Sequence, residues 1–397
     1  MIAPASPATR ITELDALRGL AVIGIVWMNV YAFAMPMQAY YNPVVWGGEA
    51  QADRFVWAAS FIFVEDKFRT LFAMLFGAGC LILLERGGKN PWRAHFARMA
   101  VLFAIGLAHS VLVASNDVLR AYALAGLALP FLAGLPHRAL YAVAIGFVAV
   151  HVGAGMVVFG SSVVDYYAGR LGSDASLFAE RNFGADGPAV QLAVELGREG
   201  FGERIARRTA TIPSQLFVLA GSLPINLAAM TLGMAAWKDR MLAREWRMFR
   251  MQRLAAICAL IALPALFALE GWVSAAGFPG ALAGAVSLVL SAPFDTLLGL
   301  GYAALAMAFF TRSGLITRWL ATVGRLSLTN YLMTSVILAA IFSSWGMGLF
   351  GETSRWQALA ISFVPIAAML VWSPLWVAKL GQGPFERLWR AATRLIA

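Results

Sequence analysis

The chain has 397 residues, of which 60% are hydrophobic and only 13% are charged, and its mean hydropathy is +0.72. A soluble globular chain has about 25% charged residues, so this composition excludes an ordinary water-soluble domain. It predicts an all-α, polytopic transmembrane helix bundle whose main partner is the lipid bilayer. The net charge of +10 falls mostly between apolar runs, which is typical of membrane topology and argues against nucleic acid as a partner.

Ten apolar runs are long enough to cross a bilayer, since a membrane helix needs about 17–25 mostly apolar residues. In chain order the predicted spans are 18–36, 68–84, 97–115, 118–135, 139–160, 212–236, 252–272, 292–311, 324–345 and 357–378. Two further apolar stretches, 55–64 and 278–291, are too short or too poorly separated to count, and we interpret them as interfacial or re-entrant pieces.

Lysine and arginine indicate how the spans are oriented. They concentrate in loops 85–98, 237–253 and 312–323 and in the C-terminal tail, whereas the alternate short loops contain almost none. With ten spans all of these basic segments fall on one side, and the positive-inside rule makes that side cytoplasmic. The pattern therefore predicts about ten spans with both termini in the cytoplasm.

The longest polar stretch, 161–211, falls on the opposite side. It divides the chain into an N-terminal five-helix half, 1–160, and a C-terminal five-helix half, 212–397. Its segment from Ala189 to Arg208 has helical spacing, which indicates an amphipathic helix that covers the outer face. A solvated linker is the alternative interpretation.

Ionisable side chains within spans mark candidate sites, because each costs about 2.5–3.5 kcal/mol at a helix centre. His109 lies well inside the third span, where a histidine either exchanges protons or simply joins two helices. Asp117 follows at the outer turn, where it caps the next helix or orients His109. The eight-residue gap is about 12 Å along a straight helix, so a direct bond requires the chain to fold back.

Other polar residues are predicted at the same depth and are candidates for binding a substrate in a cavity that opens outward. They are Glu65, Asp66, Arg69, Asn116, Tyr122 and Asp295, with Lys67 among them. An ordinary belt of interfacial charges explains the same residues, because charges near the interface cost little.

The inner ends of the spans carry Arg18, Arg325 and Asn330. Arginine binds phosphate groups in bidentate fashion, so these residues are candidates for holding an anionic cofactor such as acyl-CoA. The positive-inside rule alone also accounts for the arginines. Cys80 and Cys258 lie in apolar runs and are predicted to be small buried side chains, and no spacing of cysteine and histidine indicates a metal site.

Six short motifs are spread along the chain. They are Arg10-Ile11-x-x-Leu14-Asp15-Ala16-Leu17-Arg18-Gly19-x-Ala21, Leu71-Phe72-x-x-Leu75-Phe76-Gly77-x-Gly79, Ile105-Gly106-Leu107-x-His109, Asn116-Asp117-x-Leu119-x-x-Tyr122-Ala123, Gly324-Arg325-x-Ser327-Leu328-Thr329-Asn330-Tyr331 and Gly383-Pro384-x-Glu386-x-x-Trp389-Arg390. Together these motifs resemble the YeiB-like family of bacterial inner-membrane proteins, which is a domain of unknown function. The resemblance covers essentially the whole chain and implies a multi-pass protein of the bacterial inner membrane.

The Leu-Asp-x-Leu-Arg-Gly opening is also similar to that of membrane acyltransferases, including the acyltransferase-three proteins and the lysosomal heparan glucosaminide acetyltransferase. Those enzymes use a histidine to pass an acyl group from cytosolic acyl-CoA to a sugar across the membrane. This resemblance implies a transmembrane acyltransferase with an extracytoplasmic sugar or other small-molecule acceptor. Asn29 stands where the acyltransferase-three family places its histidine, so we assign Asn29 to substrate binding and the catalytic role to His109, with Asp117 as its partner.

Two other functions stay open. A transporter or channel for a small solute would use the outer polar residues as its substrate or proton site. A non-catalytic membrane partner or sensor would use loop 161–211 as its contact surface. An oligomer is compatible with each of these functions.

Overall fold

The computed structural model describes residues 11–48, 50–87, 89–115 and 117–397. Within these ranges the chain forms nineteen α-helices and one π-helical segment, and it contains no β-strand. The observed architecture is the predicted all-α bundle.

The helices before the long polar stretch are α1 (Thr12–Ala34), α2 (Met37–Tyr41), α3 (Gln51–Phe63), α4 (Lys67–Glu85), α5 (Pro91–Leu112), α6 (Val118–Gly126), α7 (Leu129–Leu132) and α8 (His137–Tyr167). The polar stretch itself folds into α9 (Asp174–Phe183), α10 (Gly187–Gly197) and α11 (Phe201–Ala210). The remaining helices are α12 (Ile212–Lys238), α13 (Met248–Ala275), α14 (Gly280–Ala285), a π-helix (Val286–Leu290), α15 (Ala292–Phe309), α16 (Leu315–Arg325), α17 (Ser327–Phe342), α18 (Arg355–Leu380) and α19 (Pro384–Ile396).

The described residues contain eight helices that are long and apolar enough to cross a membrane. The pair α16 and α17, bent by 76°, makes a ninth if it counts as one span. The chain is therefore a multi-pass helical membrane protein. The prediction that 118–135 is one spanning helix is wrong, because this segment is broken into α6 and α7. Stretch 55–64 belongs to a long apolar element, Gln51–Glu85, and 280–290 is a short apolar helix.

The segment 118–135 nevertheless runs from one end of the bundle to the other. Near its start Arg120 donates to Gln215 at the beginning of α12. Near its end the carbonyl of Leu135 accepts from Lys238, the last residue of α12. Because α12 is about 40 Å long, the two contacts lie far apart along the bundle.

The basic segments meet at one end of the bundle, as the charge pattern predicts. Arg244 pairs with Glu13 at 2.9 Å, and Trp237 donates to Glu85 at 3.3 Å. In the tail, Trp389 donates to the carbonyl of Arg98 at 3.0 Å. We call this end the inner end, and the opposite end the outer end.

The stretch 161–211 packs over the outer end. Asn42 donates to the carbonyls of Phe183 and Phe278, which joins α9 to the bundle. On α11, Arg204 donates to Ser343 at 2.7 Å, just after the last residue of α17. The segment from Ala189 to Arg208 is two helices rather than one, and its buried contacts do not fit a solvated linker.

Close helix crossings join the two halves of the chain into one core. A Cβ on Gly19 of α1 would lie 2.1 Å from the carbonyl oxygen of Leu320 on α16. A Cβ on Gly77 of α4 would lie 2.1 Å from the carbonyl oxygen of Met230 on α12. Helices within a bilayer gain their packing energy from such close approaches, which only small residues allow.

We predict that Gly324→Ala destabilises the protein, because its Cβ would lie 1.8 Å from the carbonyl oxygen of Asp15. Forcing α1 and α16 apart should lower the free energy of unfolding by about 1–3 kcal/mol. Thermal unfolding of the detergent-solubilised protein measures this effect. Gly146→Ala on α8 is the matched control, since nothing lies within 4 Å of its Cβ position. Equal unfolding midpoints for the two variants would contradict the crossing.

Candidate functional site

The end of α5 and the start of α6 form a buried pair between His109 and Asp117. The chain folds back after Leu112, and His109 Nδ1 lies 2.8 Å from Asp117 Oδ1. Asp117 Oδ2 accepts from the backbone N–H of Arg120 at 3.2 Å and so caps α6. Asp117 therefore fulfils both roles proposed from the sequence, as a cap and as the partner of His109.

Tyr331 of α17 completes this group. Its hydroxyl donates to Asp117 Oδ1 at 3.2 Å and accepts from the backbone N–H of Val118 at 3.3 Å. Its ring centroid is 5.5 Å from that of His109. We call His109, Asp117 and Tyr331 the histidine cluster.

The predicted span 324–345 puts Tyr331, the neighbour of Asn330, near the inner end and therefore far from His109. The bend between α16 and α17 explains the difference, because α17 starts only at Ser327 and is about 24 Å long, shorter than the bilayer core of about 30 Å. Residues near the start of α17 therefore lie deeper in the membrane than they would in an unbroken span 324–345. The Asn330-Tyr331 motif was the available signal, but the sequence contains no sign of the bend.

The histidine cluster is buried, and His109 and Asp117 are 5% and 2% exposed. Asp117 as a carboxylate can only accept, so the short contact requires His109 Nδ1 to donate. His109 Nε2 then carries the free lone pair. This atom is buried and has no hydrogen-bond partner in the described part of the chain. Most buried polar atoms in proteins are bonded, so Nε2 is the atom of this cluster that is available for chemistry.

A second buried group lies between α4 and α15. Lys67 Nζ is 2.5 Å from Asp295 Oδ1, and both side chains are almost completely buried. Lys67 also donates to the carbonyl of Phe61. Next to this pair, Asp66 adopts a left-handed backbone conformation and binds Arg69 through both carboxylate oxygens, at 2.7 and 2.8 Å. The charges predicted at one depth therefore largely neutralise one another.

Tyr122 connects the two groups. It lies on α6, which Asp117 caps, and its hydroxyl donates to the carbonyl of Arg69 at 3.0 Å. The ring is 1% exposed and packs against Phe72 and Phe76 of α4. The structure thus places Tyr122 between the histidine cluster and the charges of α4.

Sequence reasoning missed Arg355, which lies at the end of one of the short loops that contain almost no basic residues. Arg355 is fully buried, and its guanidinium lies 4.6 Å from the ring centroid of Tyr31. It also donates to the carbonyl of Ala39. Glu65 is likewise buried, at 4% exposure, and it interacts electrostatically with Arg355.

The remaining predicted site residues lie elsewhere. Asn29 is half-buried on α1 and makes none of the hydrogen bonds of the histidine cluster. Asn116 lies outside the described residues. Asn330 is fully buried, and its amide bonds to Val323, Trp372 and Ser373, so helix packing accounts for it.

The predicted cofactor arginines lie at the inner end. Arg18 pairs with Asp15 at 3.2 Å, and Arg325 donates to the carbonyl of Gly381 at 3.1 Å. They flank the crossing of α1 and α16. A cleft of about 180 Å³ between α4 and α5 is lined by Arg86, His95 and Arg98, and its lining does not include His109.

No group of three His, Cys, Asp or Glu side chains among residues 11–48, 50–87, 89–115 and 117–397 is placed to hold a metal ion. Cys80 and Cys258 are both buried and unbridged. This confirms the prediction that they are small buried side chains.

Together these features define a polytopic helical membrane protein with a buried cluster of carboxylate, histidine and tyrosine. The chain belongs to the YeiB-like family. It is 31% identical to the uncharacterized protein YeiB of Escherichia coli strain K12 over 393 residues, which cover 97% of this chain and 96% of YeiB.

Other comparisons agree with this assignment. The chain is 26% identical to the uncharacterized protein YxaH of Bacillus subtilis strain 168, over 97% of this chain and 94% of YxaH. Residues 236–396 match the family model described as a protein of unknown function, DUF418. No solved structure matches this chain.

We predict that Gly106→Ala disturbs the histidine cluster, because its Cβ would lie 2.6 Å from Asp117 Oδ2 and 2.9 Å from the backbone nitrogen of Arg120. Pushing α6 away from α5 should lower the thermal unfolding midpoint, whereas Gly153→Ala on α8, in open space, should not. Asp117→Asn should add little to the loss caused by Gly106→Ala, because both changes weaken the same contact. Fully additive losses in this double-mutant cycle would show that Gly106 does not hold the cluster together.

Proposed function

We propose that this protein is a transmembrane acyltransferase of the bacterial inner membrane. It passes an acyl group from cytosolic acyl-CoA to a hydroxyl or amine of an extracytoplasmic sugar or similar acceptor. The observation that supports this proposal is the geometry of His109, whose Nδ1 is held by Asp117 while Nε2 is buried and has no partner among the described residues.

Acyl transfer needs a base because the acceptor must lose a proton as it attacks. In the proposed reaction, His109 Nε2 takes the proton from the acceptor hydroxyl while the oxygen bonds to the acyl carbon. The carbon–sulfur bond then breaks, and the leaving thiolate takes the proton back from the imidazolium. Asp117 orients the ring and stabilises its positive charge, and Tyr331 holds Asp117 in place.

The donor would bind at the inner end, where the basic segments meet. When bound, acyl-CoA supplies the thioester. Its phosphates suit the guanidinium groups of Arg86 and Arg98 in the inner cleft, and Arg18 and Arg325 lie at the same end of the bundle. This arrangement agrees with a cytosolic donor, because the positive-inside rule makes the basic side cytoplasmic.

We predict that His109→Gln lowers the rate of acyl transfer by about 10²- to 10⁴-fold, the usual contribution of a general base. The measurement uses purified protein in liposomes, radiolabelled acetyl-CoA and a panel of amino sugars and polyols. His151→Gln is the matched control, because His151 lies on α8 and its ring bonds to the carbonyl of Leu288. Wild-type transfer by a folded His109→Gln variant would refute the assignment.

A second candidate, a proton-coupled transporter, is favoured by the ion pair between Lys67 and Asp295. An ion pair buried within membrane helices is expensive and often belongs to a substrate or proton pathway. Under this alternative, liposomes without acyl-CoA should take up a solute together with protons. Under the acyltransferase proposal the pair holds α4 to α15.

The two candidates predict different behaviour for variants of the pair. Lys67→Met alone should destabilise the protein by about 3–5 kcal/mol, because it leaves the Asp295 carboxylate unpaired. The double variant Lys67→Met, Asp295→Leu should recover most of that loss, as measured by thermal unfolding. An acyltransferase should keep its transfer activity in the folded double variant. A proton-coupled transporter should lose its uptake.

A further inference from the structure

Four arginines lie on the outer side of the histidine cluster. Arg204, Arg207 and Arg208 occupy positions i, i+3 and i+4 of α11 and therefore share one face of that helix. Arg120 adds a fourth guanidinium from α6. Arg204 and Arg208 are each 8% exposed, and Arg120 is 2% exposed. We call Arg120, Arg204 and Arg208 the buried arginine group.

This group lies directly beyond His109. Arg208 Nη1 contacts the carbonyl of Val111 at 3.4 Å, and Val111 is only two residues past His109 on α5. Arg120 Nη2 donates to the carbonyl of Ser115 at 2.9 Å, in the turn that leads to Asp117. Two residues are about 3 Å of helix rise, so the arginines cover the outer side of the histidine cluster.

Nearby carboxylates do not balance this charge. Glu199 pairs with Arg207 at 2.7 Å and also interacts electrostatically with Arg204 and Arg208. Asp117 interacts with Arg120, so two carboxylates face four guanidinium groups. Arg204 bonds to Ser343 and to the carbonyls of Gly197 and Glu199. No carboxylate in the described ranges lies within ion-pair distance of the buried arginine group, and the Nε atoms of all three residues have no hydrogen-bond partner.

Membrane topology does not explain why the buried arginine group lies on the outer side. The positive-inside rule predicts few basic residues on the outer side, where α11 lies, and buried cations are normally paired. Bonds to backbone carbonyls alone do not require a charged side chain. Burial and the neighbouring Arg204 and Arg207 lower the pKa of Arg208 to about 10, so it remains charged at neutral pH. A buried, charged and under-neutralised group indicates an anionic ligand.

We propose that the buried arginine group binds a phosphate group. Guanidinium forks match the oxygens of phosphate. Arg208 and Arg120 both bond to the segment 111–115 that leads out of α5, and Arg204 lies one helical turn before Arg208. Naming the phosphate-bearing molecule as the acyl acceptor rests on the proposed function, but the anion site itself does not. The phosphate belongs either to a soluble molecule, such as a sugar phosphate, or to a lipid headgroup.

The test measures thermal unfolding midpoints against inorganic phosphate, with chloride keeping the ionic strength constant. The wild-type protein should show a saturable rise, because a ligand that binds only the folded state stabilises it. Arg208→Gln should need at least about tenfold more phosphate for half of that rise, because it loses charge-assisted hydrogen bonds. Arg198→Gln is the matched control, since Arg198 is exposed and pairs with Glu352 on the surface.

Two outcomes would overturn the site. One is the absence of a saturable rise for the wild-type protein, and the other is an Arg208→Gln curve that coincides with that of Arg198→Gln. If Arg208→Gln does not fold, Arg208→Lys replaces it, because it keeps the charge and loses the fork. That variant should also bind phosphate more weakly, and wild-type binding by it would refute the role of the fork.

Additional measurements distinguish a lipid phosphate from a soluble one, and they test the phosphate site independently of the acyltransferase proposal. In nanodiscs of phosphatidylglycerol, a lipid headgroup would raise the midpoint above that in galactolipid discs and remove the effect of added phosphate. A soluble ligand would leave that effect intact in both lipids. His109→Gln should still bind phosphate. If it does while no acyl transfer is found, the acyltransferase proposal fails and the anion site stands.

Discussion

A polar group inside a membrane bundle has only its own chain to bond to, because the lipid around it offers no hydrogen bonds. This constraint explains why distant motifs meet. Glu386, in the tail, accepts from the backbone N–H groups of Leu328 and Thr329 at 2.8 and 3.1 Å and so caps the start of α17. The bend before α17 leaves these N–H groups without partners in their own helix, and the tail supplies one.

The same constraint distinguishes motif residues that have a structural role from those that are candidates for catalysis. Gly19 and Gly324 permit a helix crossing, and Glu386 and Asn330 satisfy polar groups within the bundle. Each is accounted for by packing. His109 is different, because one ring nitrogen is fixed by Asp117 while the other is left without a partner in the described part of the chain. An arrangement that orients a base and leaves its lone pair free is what proton transfer requires.

The arginines at the two ends of the bundle have different explanations. Arginines at the inner end follow the positive-inside rule, whereas Arg204 and Arg208 of α11 lie on the opposite side and are buried. The histidine cluster lies next to the outer group and is reached from the inner end by the short helix α17. The two proposals depend on this distribution of cations, because one assigns an anionic donor to the inner end and the other a phosphate group to the outer end.

The sequence by itself determined the solvent, the helical class and most of the spans, because hydropathy and charge depend only on local composition. It also identified His109 and Asp117 as residues at a costly depth. Only the tertiary structure decided that segment 118–135 is broken into α6 and α7 and that Asp117 meets His109. It also decided that Tyr331, Arg355 and two arginines of α11, Arg204 and Arg208, are buried. These features depend on chain reversals, on the bend at Leu326 and on contacts between residues far apart in the chain, and no local pattern encodes which polar groups will become partners.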